Sequence, residues 1–137
     1  VIKKYPFFLC ANLDENHRDG SHCVRKFIAR KGAELEFFDS YGNSINVYTP
    51  HFMRFVNDND LRVIESHKTL QAMGSDVCGE YVIMYMYFRL NGCSRQTFYK
   101  NFSNNFSNND KIVFNFVNKL FIQKNNCKNG QTCKSKE

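Results

Sequence analysis

One segment constrains how this 137-residue chain can fold. Between Asp76 and Leu90 stand Val77, Tyr81, Val82, Ile83, Met84, Tyr85, Met86, Tyr87 and Phe88, with Asn91-Gly92 following. The run is too long for an ordinary strand, and an Asn-Gly pair is a familiar helix stop, so the sequence predicts a helix over 76–90. Its apolar residues go nearly all the way round. Such a helix has no broad face to give to water, so it must sit centrally with the other elements wrapped around it.

The remaining elements follow an order. Tyr5 to Asn12 is a short apolar run that reads as a strand, followed by a polar loop over 12–20. His22 to Arg30 reads as a second strand and Ala33 to Asp39 as a third, with Lys31-Gly32 as a tight turn between them. The three are expected to pair as a meander. Thr49-Pro50 marks the cap and first position of a short helix through Val56, broken by 57–60. Leu61 to Ser66 is a candidate fourth strand. After the central helix, Ser94 caps a helix toward Phe102, and Asn109-Asp110 opens a last one carrying Ile112, Val113, Phe116, Val117, Leu120 and Phe121. Strands precede helices, so the expected class is α+β: a mixed or antiparallel sheet packed against helices.

One domain over 1–122 accounts for these elements. Residues 123–137 read as a basic, disordered tail, with Lys124, Lys128, Lys134 and Lys136 against one acid. The chain begins at Val1 inside a strand-like run, and an amino-terminal part is expected to be missing. Fourteen Phe and seven Tyr can fill a core with few residues. The net charge of +6 permits loose contact with a polyanion, but no base-reading motif is present. The six cysteines form no CxxC pair and have no clustered histidines, so no metal is expected and the thiols read as reduced. With no apolar run of spanning length, an intracellular setting, nuclear or cytoplasmic, is expected rather than a membrane.

Cys78 lies in the first turn of the predicted central helix, with Ser75 or Asp76 as its cap. A helix N-terminus favours thiolate over thiol, and Gly79 allows close approach of a substrate backbone. His22 follows Gly20-Ser21 at a strand start. Asp39 ends the next strand, where an antiparallel pairing can bring it to one imidazole nitrogen and leave the other as a base. Gln71, seven residues before Cys78, can donate its amide to an oxyanion beside the Cys78 N–H. Each residue has an ordinary explanation: a packed Cys on an apolar helix, a loop His, a turn Asp, a loop Gln. Their joint order is what points to a cysteine hydrolase. His17, His51 and His67 have no such setting and read as surface residues.

Gly20-Ser21-His22, the Glu36-to-Gly42 stretch and the run from Gln71 to Tyr81 together resemble the adenain family. These are the adenovirus-type cysteine endopeptidases, of a superfamily that includes SUMO-specific proteases. The resemblance spans roughly Tyr5 to Leu120. It implies an adenain-type, papain-like arrangement with a His22–Asp39–Cys78 triad and with Gln71 and the Cys78 amide holding the oxyanion. It also implies a monomer needing no metal or organic cofactor, a protein or peptide substrate such as a viral or transposon precursor, a virion as a further location, and DNA contacts through phosphates. The family usually carries Trp after its His, where this chain has Cys23, a departure that fits a decaying copy. Two other readings stand beside it: an isopeptidase removing SUMO or a similar modifier, and an inactive relic that only binds protein or DNA.

Overall fold

The computed structural model describes residues 2, 4–12, 22–32, 34–48 and 50–128. Four strands, β1 (Phe7–Asn12), β2 (Cys23–Ile28), β3 (Leu35–Phe38) and β4 (Val63–Ile64), form one sheet in the order β1-β2-β3-β4. The first three are antiparallel neighbours, as the meander expectation had it, with Asn12 opposite Cys23 and Arg25 opposite Phe38. β4 runs parallel to β3. A parallel return needs a crossover, and the chain supplies it with a 3-10 turn at Ile45–Val47 and helix α1 at Pro50–Asp58. Three further helices follow: α2 (Cys78–Leu90), α3 (Arg95–Tyr99) and α4 (Phe106–Lys128). The protein is therefore mixed α+β.

β2 is buried along 24–28, so both of its faces are covered. Val24 and Ile28 share a core with Leu35, Phe37, Ile45 and Val56, and the α1 residues Phe52, Met53 and Phe55 pack against it. The opposite core joins Phe38 to Leu70, Tyr81, Val82, Met84, Tyr85, Phe98, Phe102 and Val113. The alternation of side chains along a strand explains this division: Leu35 and Phe37 point to one layer, Phe38 to the other. Lys26 lies on the α1 side with its ammonium 3.7 Å from the centre of the Phe52 ring. Arg25, on the α2 side, is fully buried between the Phe8 and Tyr85 rings, at 4.6 and 5.2 Å. Among the described residues none of its guanidinium nitrogens has a hydrogen-bond partner. Burial lowers the Arg25 pKa to about 10, still charged at neutral pH.

Several expectations need correction. The central helix starts at Cys78, not Asp76, and its cap is Val77, which offers no side-chain hydrogen bond. It is not enclosed all round either: Ile83, Tyr87 and Leu90 are exposed. The last helix starts at Phe106, with Asn105 Oδ1 accepting from the Asn108 N–H. Asn109 and Asp110 lie inside it. The chain is helical through Lys128, past the expected boundary at residue 122, while 129–137 lie outside the described residues. Thr49, His17 and the loop over 13–21 also lie outside them. Among the described residues no helix is long and apolar enough to cross a membrane.

Candidate active site

The sheet supplies half of the site. His22 directly precedes β2 and Asp39 directly follows β3, and the antiparallel register brings the two strand ends side by side. His22 Nε2 lies 2.6 Å from Asp39 Oδ1. The Asp39 side chain is fully buried and that of His22 is 18% exposed. A buried carboxylate needs every lone pair answered. Oδ1 also accepts from the Tyr41 N–H at 2.8 Å, and Oδ2 accepts from the Asn43 N–H at 3.2 Å and from the Tyr48 hydroxyl. Burial pushes the Asp39 pKa up, but its hydrogen bonds to His22, Tyr48 and the Tyr41 amide outweigh burial, and the net direction is down.

The tight loop after Asp39 depends on Gly42. This residue has φ +76°, and a Cβ there would come within 2.7 Å of the His67 carbonyl oxygen. A side chain would both strain the backbone and collide with the neighbouring strand connection. The Tyr41 ring packs on the His22 ring at 4.8 Å, and the Tyr48 ring lies 6.2 Å away.

The helical layer supplies the other half. Cys78 is the first residue of α2 and is 5% exposed. With no side chain capping the helix, the positive end of its dipole is left for the residues at its start. The Cys23 main-chain N–H donates to Cys78 Sγ at 3.3 Å. With Nε2 committed to Asp39, Nδ1 is the imidazole nitrogen left for the thiol. Burial lowers the His22 pKa, yet its hydrogen bonds to Asp39 and Cys78 raise it to about 9. Burial raises the Cys78 pKa, yet contact with His22 and the Cys23 N–H brings it below the ordinary thiol value. Both shifts favour an imidazolium beside a thiolate at neutral pH.

Gln71 is 1% exposed, so it is no ordinary loop residue. Its Oε1 accepts from Ser40 Oγ at 2.6 Å, and its Nε2 donates to the Ser75 carbonyl at 2.8 Å and to Ser75 Oγ at 3.0 Å. Helix α4 holds this loop from behind. Asn109 Nδ2 donates to the Leu70 carbonyl at 3.0 Å, and Asp110 accepts from the Ala72 N–H at 3.4 Å and the Tyr81 hydroxyl at 2.9 Å. The residues that sequence reading took as a helix start thus anchor the loop carrying Gln71.

His22, Tyr41, Gln71, Gly74, Ser75, Asp76 and Cys78 line one cavity of about 400 Å³. A larger depression of about 900 Å³, against Tyr5, Arg30, Glu34, Asp58 and Arg62, is lined by no thiol or imidazole. Chemistry rather than volume makes the smaller one the candidate site. All four residues singled out from the sequence line it or border it, while His51 and His67 are exposed. Reading the sequence missed Tyr48, Ser40 and Ser75. Ser40 and Ser75 lie within the recognised stretches, but nothing in the sequence signals the reach of Tyr48 around the 3-10 turn. Among the described residues no group of three or more His, Cys, Asp or Glu side chains could hold a metal ion.

Comparison with protein-family models, with curated proteins and with solved structures returns no match.

Proposed function

We propose that this protein is a cysteine endopeptidase of adenain type, acting on a protein or peptide substrate. The observation that carries the reading is the His22–Asp39 hydrogen bond, with His22 and Cys78 lining one cavity at an uncapped helix start. In this mechanism the Cys78 thiolate attacks a peptide carbonyl carbon. The oxyanion that forms lies near the Cys78 N–H and the Gln71 amide. His22 gives its proton to the leaving amine, and a thioester remains on Cys78. Water then attacks the thioester, His22 takes the water's proton, and the acid product leaves. Asp39 keeps the His22 ring oriented throughout.

The Gln71 amide spans two hydrogen bonds to Ser75 in this structure. Its use as an oxyanion donor requires Ser75 to give way to the substrate oxygen. This observation also favours a second reading, an inactive relic that retains the triad without a working oxyanion hole. Incubating the full chain with an unfolded protein substrate and identifying new amino termini separates the two. Cleavage that disappears in Cys78→Ala supports the endopeptidase. A wild-type chain that alkylates selectively at Cys78 yet cleaves nothing supports the relic.

A further inference from the structure

The residue that replaces the family's tryptophan brings a second sulfur to the nucleophile. Cys23 begins β2, and its main-chain N–H already touches Cys78 Sγ at 3.3 Å. A disulfide needs two Cβ atoms about 3.5–4.5 Å apart, and this contact already sets the Cys23 main chain against the Cys78 sulfur. The two side chains are also electrostatic neighbours, each shifting the ionisation of the other. Cys10, on the neighbouring strand β1, is exposed and also shifts the ionisation of Cys23. Cys10, Cys23, Cys78 and Cys93 form no disulfide in the structure.

We propose that Cys78 and Cys23 are a peroxide-responsive dithiol, in which oxidation of Cys78 is resolved by Cys23 as an intramolecular disulfide. The bond itself needs only the two thiols; that it switches hydrolysis off rests on the protease reading. The oxidant is a hydroperoxide. The Cys78 thiolate attacks one peroxide oxygen, the O–O bond breaks, and the departing hydroxide takes the His22 imidazolium proton to form water. Cys78 is then a sulfenic acid. The Cys23 sulfur attacks the Cys78 sulfur, the S–O bond breaks, and the hydroxide leaves with the Cys23 proton as a second water. Two thiols have lost two electrons and hydrogen peroxide has gained them.

The electrostatics order these two steps. Burial and the negative charge on Cys78 push the Cys23 thiol up to about 12, so Cys23 stays protonated while Cys78 is a thiolate. Conversion of Cys78 to a neutral sulfenic acid removes that charge, and Cys23 becomes easier to ionise at the moment it must attack. In the disulfide, Cys78 has no thiolate and the catalytic step has no nucleophile.

The test treats the full folded chain with hydrogen peroxide, blocks remaining thiols with iodoacetamide, and maps non-reduced peptides by mass spectrometry. A linked pair joining the Cys23 and Cys78 peptides, absent after dithiothreitol, is the expected result. The link should persist in Cys10→Ser. In Cys23→Ser it should vanish, with Cys78 recovered as sulfenic or sulfinic acid. A Cys78 that goes to sulfinic acid in the wild type without any Cys23 link overturns the proposal, as does a Cys78 left intact at a peroxide level that oxidises Cys10. If the link forms in a chain that cleaves no substrate even when fully reduced, the dithiol stands and the protease reading falls. If cleavage persists in a fully linked protein, the regulatory role falls.

Discussion

Two carboxylates, both from the β3 end of the sheet, reach α2 at its opposite ends, and they do different jobs. Glu36 meets the last turn. It accepts from Arg89 through two nitrogens, at 2.6 and 2.8 Å, and from the Tyr85 hydroxyl at 2.9 Å. The Arg89 guanidinium is held even more firmly in its charged form by that contact. Burial holds the Tyr85 hydroxyl protonated and the contact holds Arg89 charged, so the cluster is a clamp. Asp39 meets the first turn through His22, and the chain of contacts ends in a sulfur that lines a cavity. The His22 pKa of about 9 and the lowered Cys78 value leave a proton that can be transferred at neutral pH. Similar acids bracket one helix; what separates clamp from candidate catalyst is the last partner, an arginine in one case and an imidazole–thiol pair in the other.

Exchanging the roles gives the largest contrast. Cys78→Ala should reduce substrate cleavage by on the order of 10⁴-fold or more while leaving the unfolding midpoint close to wild type. Glu36→Gln should do the reverse, costing about 3 kcal/mol in urea unfolding by stranding Arg89, with little change in Cys78 alkylation rate. A Glu36→Gln protein that unfolds like wild type would mean that the clamp reading is wrong.

Gln71 tests whether the two kinds of role can coincide in one residue. Because it is buried and hydrogen-bonded to Ser40 and Ser75, Gln71→Ala should cost the fold about 1–3 kcal/mol. It should also slow turnover by about 10- to 1000-fold in material that is still folded. Stability loss alone would place Gln71 with the clamp.

The pH dependence sharpens the electrostatic side. The His22 pKa is raised on folding, so the stability it contributes is complete below its unfolded value near 6.5 and is lost as pH rises through about 9. The stability difference between wild type and His22→Ala should therefore be largest near pH 6, on the order of 2 kcal/mol, and should shrink toward pH 10. Urea titrations across that range measure it. A constant difference would show that His22 does not titrate with a raised pKa. The smallest effect belongs to Tyr48→Phe, which removes one of four partners of Asp39. It should cost about 1 kcal/mol and slow Cys78 alkylation only a few-fold. A loss as large as that of His22→Ala would make Tyr48 a full member of the contact chain.

Much of this was legible in the sequence because alternation and helix-stop chemistry are local. The three-strand meander, the short helix after Pro50 and the position of Cys78 at a helix start need no distant partner to be read. The errors arose where a signal was ambiguous or non-local. Asparagine recurs through 101–109, so the start of the last helix is ambiguous; the structure uses Asn105 and leaves Asn109 for the Leu70 carbonyl. Ser75 and Asp76 both look like caps, but Ser75 is engaged by Gln71. The residues flanking Gln71 are tied to α4, nearly forty residues downstream, and no local pattern announces it.

That dependence on α4 divides the candidate site between two parts of the molecule that need not open together. His22 and Asp39 are fixed by paired strands, whereas the loop carrying Gln71 is held by Ser40 on one side and by the side chains of Asn109 and Asp110 on the other. Transient detachment of α4 would remove one side of that support and leave the His22–Asp39 pair standing. Amide hydrogen exchange would register this as a lower opening free energy for 70–72 than for β2 and β3. The residues around Cys78 would then take on the opening rate of a distant helix, and protection measured at α4 would report how often the cavity is complete.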